Sequence, residues 1–470
     1  MAISEEVAVW SATRQAAAIR AGELGSRELL ELLVTRIERL NGELNAVVTL
    51  DLETAREAAD GADRMAADGE FAGPLHGVPI TIKDALETAG ICSTGGATEL
   101  QDNVPGHDAP VVAALKDAGA IVFGKTNLPR WSGDIQSYNE IFGTTSNPWN
   151  LERVPGGSSG GAATAVATGL TGFEIGTDIG GSIRIPSSFC GVYGHKPSFG
   201  VVPSTGYLDH EAGGTTEADV NVLGPIARSA EDLELLLGLI ARNEGPLVAA
   251  LDEPPEDLKA LRVAAWLDDD FCPVDQNVID VMSAAVDKLE AAGVTVDRNA
   301  RPNLDPNHSF GVGAWLVTAA MAQSMPAENL EGADMDNALA GASHRQWLDM
   351  HAERETIRKL WAEFFREYDA LLMPTAFVPP FPHQQEGHFG TRTLQCNGSD
   401  RAYADLVRWT ILTGSAYLPA SVPPLGLDAD GLPIGMQVVG RYGGDYTTIR
   451  LAGLIGELCG GYQPPPMALA

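Results

Sequence analysis

Residues 156–161 read GGSSGG and residues 176–184 read GTDIGGSIR, with the small, apolar run AATAVATGL at 162–170 between them. Glycine at this density permits backbone angles and close approaches that a Cβ would block. A flexible tether has a similar composition, so GGSSGG taken alone leaves a linker open. The alanine-rich run that follows suits a buried helix better than a solvated tether.

Two catalytic loops could also contain such glycines. A phosphate loop needs glycine followed by Lys and then Ser or Thr, which neither segment supplies. Gly156, Ser158 and Gly160 satisfy GxSxG, the nucleophile elbow of α/β-hydrolases, which would make Ser158 a nucleophile served by a downstream Asp and His. That elbow follows a strand directly, whereas NPWNLERVP at 147–155 carries two prolines and reads as loop.

Upstream, VPITIKD at 78–84 alternates: Val78, Ile80 and Ile82 share one face, Thr81 and Lys83 the other. This is a strand with a lysine near its end. PVVAALKDAG at 110–119 reads as a helix feeding the strand AIVF, and residues 262–297 repeat the logic as RVAAW, VIDVMSAAVDKLEAAG and VTV. Such alternation implies parallel strands with right-handed crossovers. Ser26 is expected to cap a helix carrying Leu29, Leu30, Leu33, Ile37 and Leu40 on one face. Ser229 with Asp232 resembles a capping box ahead of LELLLGLI.

Composition excludes more than it selects. The 470 residues carry a formal net charge of −32, the wrong sign for a phosphate-binding surface, so no nucleic-acid partner is expected. The five cysteines (Cys92, Cys190, Cys272, Cys396, Cys459) are scattered without CxxC spacing; neither a disulfide framework nor a zinc site is indicated. No HExxH spacing occurs, and His76 and His195 read as packing or turn residues, so no metal is called for. MAISEEVAVW lacks a basic region followed by an apolar one, and no run is long enough to cross a bilayer; a cytoplasmic protein with no membrane partner is expected.

Lys83 in GVPITIKD, GKTN at 124–127, NPWN at 147–150, GGSSGG, GTDIGGSIR, GHKPS at 194–198 and GLPIGMQVVG at 431–440 follow one another in the order found in amidase signature enzymes. The chain resembles that family over most of its length, most specifically at 144–198. The resemblance implies an α/β fold: a single α/β/α domain with a mixed, mostly parallel sheet, in which residues 1–65 form a helical segment packing on the core and 66–470 the signature domain. It also implies a Ser, cis-Ser, Lys triad of Ser182, Ser158 and Lys83, with a cis peptide between Gly157 and Ser158.

A serine hydroxyl is a weak nucleophile until a base takes its proton. In the implied mechanism Ser158 bridges Ser182 to Lys83, which must be neutral and therefore desolvated. The backbone N–H groups of Ile179, Gly180, Gly181 and Ser182 are the expected oxyanion hole. Asp178, Arg184 and Ser159 are expected to shape the loop. The reaction is acyl transfer to Ser182, departure of the amine with a proton from Ser158, and hydrolysis of the acyl-enzyme; no cofactor takes part.

The partner expected is a small amide, anilide or carbamate, and a homodimer is left open. Trp131 and Ser132, just after GKTN, are candidate substrate contacts. So is Tyr417 in GSAYLPASVP at 414–423, where relatives commonly have a small residue. Phe310, Trp315, Leu316, Met321 and Met325 form an apolar set that serves equally as pocket or as core. Two rival functions remain: the glutamine amidase subunit of a tRNA-dependent amidotransferase, and the α/β-hydrolase esterase.

Overall fold

The computed structural model describes residues 4–242, 250–322 and 343–469. Two sheets organise it. Val47–Leu50, Ile121–Thr126 and Pro79–Lys83 form a three-stranded sheet in that order, the last two parallel through the helix Pro110–Asp117. A nine-stranded sheet runs Thr295–Asp297, Arg262–Ala265, Ala370–Pro374, Pro433–Gly440, Ala420–Val422, Tyr193–Lys196, Val222–Ala227, Glu174–Asp178, with Pro424–Leu427 also paired to Pro433–Gly440.

The chain is α/β with a mixed sheet, but the expectation of a mostly parallel one is corrected. Parallel pairing in the large sheet is confined to Arg262–Ala265 with its neighbours Thr295–Asp297 and Ala370–Pro374; the other ladders are antiparallel. The strand–helix–strand patterns do give parallel pairs where they occur. At the centre, however, Glu174–Asp178 and Tyr193–Lys196 flank Val222–Ala227, which fills the gap antiparallel to both.

The helix Ser26–Leu44 buries Leu29, Leu30, Leu33, Ile37 and Leu40 in one apolar cluster with Ile80, Ile82 and Val111. Its N-cap is Gly25, and the orphan amides of Ser26 and Arg27 donate to Asp63 Oδ1 and Oδ2 at 2.6 and 3.1 Å. Ser26, read from sequence as the cap, instead donates its hydroxyl to the Gly77 carbonyl at 2.6 Å. Ser229 does cap Ala230–Ile240, while the Asp232 carboxylate accepts from the amides of Ala12 and Thr13 and so ties down the chain's first α-helix. Among the described residues no helix is long and apolar enough to cross a membrane.

Glu174 joins the two sheets. Its Oε1 accepts from Thr81 Oγ1 at 2.7 Å and Thr126 Oγ1 at 2.9 Å, one residue on each neighbouring strand of the smaller sheet. Between the sheets lies the helix Gly160–Ala167, every residue of it buried, so GGSSGG is no tether. Its glycines are required by proximity: a Cβ on Gly161 would sit 2.5 Å from the backbone N and O of Asn127, and one on Gly160 2.5 Å from Ser137 Oγ. Gly161→Ala therefore destabilises by about 1–3 kcal/mol through overpacking, although alanine is the better helix former by about 1 kcal/mol in an open position. Urea denaturation checks the sign; a variant as stable as the parent contradicts this packing.

Candidate active site

Lys83 ends the strand Pro79–Lys83 and is fully buried, as are Ser158 and Ser159 at the entry to Gly160–Ala167. Its Nζ donates to Ser158 Oγ at 2.7 Å, Ser159 Oγ at 3.0 Å and Thr177 Oγ1 at 2.6 Å. Three acceptors match the three protons of an ammonium; on losing one, the amine gains a lone pair that a hydroxyl can address. Burial pulls the Lys83 pKa down to about 7, against the opposing attraction of Asp178 and then Glu174. Glu174 lies within that same buried region, and burial pushes its carboxyl up to about 7 despite donors from Thr81 and Thr126. Thr177 and Glu174 were not singled out from sequence; their position on a strand adjoining GTDIGG was the available signal.

Ser182 sits between the strand Glu174–Asp178 and the helix Arg184–Cys190 and is 4% exposed. Its carbonyl accepts from the Ser159 amide at 3.2 Å, which holds the two serine segments side by side. The Gly157–Ser158 peptide is cis.

Asp178 and Arg184 fold the turn around Ser182. The Asp178 carboxylate accepts from the amides of Gly181, Ile183 and Arg184 at 2.8, 3.1 and 3.4 Å, and from Arg184 Nε and Nη2 at 2.9 and 2.8 Å. Burial alone would raise its pKa; the Arg184 guanidinium more than offsets this and holds it below the usual carboxylate range. Arg184 Nη1 also donates to Thr410 O, Thr413 Oγ1 and Gln437 Oε1. Thr410 Oγ1 in turn donates to Gly180 O at 2.6 Å. One of the four expected oxyanion donors is thereby engaged: the Gly181 amide points at Asp178. Asp178 takes none of the amides of Ile179, Gly180 and Ser182.

Ile179 also lines a pocket of about 360 Å³ with Trp131, Ser132, Tyr207, Asp209 and Asn221. Burial pushes the Tyr207 hydroxyl up to about 12, with Ser132 and Thr177 beside it acting the other way. Tyr417 is not a wall of this pocket; it packs in the adjoining apolar cluster of Val220, Val317 and Ile411, which Ile179, Met321 and Phe310 also touch. Its ring stacks on Phe199 at 4.3 Å between centroids, and its hydroxyl donates to Asp219 Oδ1 at 2.5 Å. Met321 reaches the pocket, Leu316 is fully buried core, Trp315 packs on the core of the large sheet, and Met325 lies outside the described residues.

Six non-glycine residues have positive φ, and two of them, Asn45 and Asn397, are of the type that tolerates it. The other four are Trp131 (φ 50°), Ser132 (56°), Val220 (68°) and Tyr417 (69°), which line this pocket or pack in the cluster beside it. Left-handed backbone at such residues costs of order 1–3 kcal/mol each and concentrates at ligand sites.

The elbow reading meets neither of its requirements. Residues 154–159 form no strand. Among the described residues no histidine hydrogen-bonds to Ser158 or Ser182; His195 instead contacts Ser421 Oγ at 2.9 Å and Asp445 Oδ1 at 3.1 Å, fully buried.

The family model described as Amidase matches residues 28–449. The chain belongs to the amidase family. An acylamidase of Rhodococcus erythropolis is 32% identical over 457 residues, 94% of either chain. The amidase component of a glutamyl-tRNA(Gln) amidotransferase, from Moorella thermoacetica, is 32% identical over 471 residues, 92% of either chain. Among solved structures, a bacterial aryl acylamidase of the amidase signature enzymes superposes with a TM-score of 0.84 at 27% identity, covering 98% of both chains. A 6-aminohexanoate cyclic dimer hydrolase complexed with substrate gives 0.82 at 26%, covering 98% of this amidase and 99% of the other chain. This amidase is therefore a hydrolase acting on the C–N bond of amides.

Removing the arginine of the Asp178–Arg184 pair strands a buried carboxylate. Arg184→Met should lower stability by about 3–5 kcal/mol and abolish amide hydrolysis with it. Guanidinium denaturation followed by tryptophan fluorescence checks this; a loss below about 1 kcal/mol would show the turn is held by other means.

Proposed function

We propose that this amidase hydrolyses small neutral carboxylic amides through an acyl-enzyme on Ser182. The observation that carries the reading is a lysine with no access to water, drawn down to about 7 by burial, whose Nζ donates to Ser158 Oγ at 2.7 Å. In its neutral form Lys83 takes the Ser158 proton while Ser158 takes that of Ser182, so the alkoxide forms as it attacks the carbonyl carbon. The amides of Ile179, Gly180 and Ser182 receive the developing oxyanion, while that of Gly181 stays with Asp178. Ser158 then returns a proton to the departing amine, and water, deprotonated by the same relay, releases the acid.

The second reading, a glutamine amidase that works only within a tRNA-dependent amidotransferase, has equal sequence likeness. The pocket beside Ile179 favours the first. Its walls include the carboxylate of Asp209 and neither lysine nor arginine, a poor environment for the carboxylate of free glutamine. An isolated chain that turns over glutamine and rejects acyl anilides would reverse the choice.

Only neutral Lys83 can accept a proton, and its neutral fraction falls as pH drops through about 7. The rate should therefore fall about tenfold per unit below that point and level off above it. Ser182→Ala should lose a factor of at least about 10³ in kcat, and Lys83→Arg should retain less than about 1%, because arginine stays protonated to beyond pH 12. Single-turnover kinetics from pH 5 to 10 on the three proteins is the check. Substantial activity in Lys83→Arg, or a profile climbing only toward pH 10, rules out the relay.

A further inference from the structure

We propose that Asn221 is a specificity-determining residue: its side-chain amide donates a hydrogen bond to a neutral acceptor, a carbonyl or ether oxygen, on the part of the substrate seated beside Ile179. The inference rests on the reading of that pocket as the substrate pocket.

Asn221 lines the pocket and is 4% exposed. Its Nδ2 is sealed from solvent and has no hydrogen-bond partner among the described residues. A buried amide donor without an acceptor is unfavourable, and folded proteins rarely leave one so. Here the segment around it fixes its direction. Asp219 is turned the other way, accepting from the Tyr417 hydroxyl on one oxygen and from Arg354 Nη1 at 2.7 Å on the other. Val220 is buried in the neighbouring apolar cluster with its backbone left-handed, a conformation that a β-branched residue adopts only when its surroundings impose it. The strand Val222–Ala227 begins immediately after. Anchored on both sides, Asn221 is held with an unused donor toward the pocket.

The other walls define what the donor meets. Trp131 offers a flat aromatic surface, and Ala218, Ala320 and Met321 are apolar. Asp209 disfavours an anionic group in the same space. The class selected is an amide with a flat or aliphatic body carrying one uncharged acceptor. A site built to hydrogen-bond a substrate group discriminates against the analogue that lacks it, because the site's own polar group is then left unpaired.

The test is a panel of acyl anilides bearing a methoxy or acetyl group at successive positions on the ring and on the acyl chain. Each is matched to the ethyl or isopropyl compound of the same size. In wild type at least one acceptor-bearing member should exceed its hydrocarbon match in kcat/KM by about tenfold. That ratio should collapse toward one in Asn221→Leu, which keeps the volume and removes the donor. It should also collapse in Asn221→Asp, which accepts instead of donating and serves as the arbiter if the leucine variant does not fold. A wild type without preference, a preference that survives in both variants, or an equal fall across each matched pair overturns the inference while leaving the amidase reading intact. A wild type that turns over no member of the panel overturns the substrate-pocket reading as well.

Discussion

A lysine amine is held out of water at the junction of two sheets, and most of the surrounding structure serves that constraint. Lys83 reaches the junction from the small sheet; Glu174, Thr177 and Asp178 reach it from the edge of the large one. Desolvation outweighs the attraction of Asp178 and Glu174 and leaves the amine titrating near 7, some three units below an exposed lysine, a differential of roughly 5 kcal/mol. The sign follows from proton binding: between pH 7 and 10 the unfolded chain holds more protons than the folded one, so this residue's contribution to stability falls as pH drops through that window. Three hydroxyls around Nζ keep the buried amine hydrogen-bonded in either protonation state.

The charges nearby are divided by distance and partner. Asp178 faces Arg184 and spends its oxygens on that guanidinium and on three turn amides. It is thus neutralised locally rather than pairing with Lys83. Glu174 is pushed up to about 7 and accepts from threonines of the smaller sheet. If either carboxylate contacted Nζ directly, the ammonium would be favoured and the lysine would become a fixed charge.

Legibility in the sequence followed how local each feature is. The strand ending at Lys83, the buried helix after GGSSGG and the parallel pairs at 79–126 and 262–297 depend on periodicity within short stretches of chain, and they are as read. The large sheet's central order is not local: Val222–Ala227 inserts between two strands that a crossover had already placed parallel, and no pattern at either site announces it. Likewise Gly181 has the composition of an oxyanion donor, and only the position of Asp178 shows its amide committed elsewhere. Ser132 and Trp131 reach the pocket beside Ile179, whereas Tyr417 is taken up by Phe199 and Asp219, partners far away in sequence.

The most direct test is the protonation state of Lys83 itself. Lysine labelled with ¹³C at Cε, assigned by comparison with Lys83→Met, reports the charge on each amine by NMR as pH is raised from 5 to 11. A resonance titrating near pH 7 is expected for Lys83, well separated from the exposed lysines. Titration at or above pH 10 would mean that the amine remains charged throughout the working range and cannot be the base.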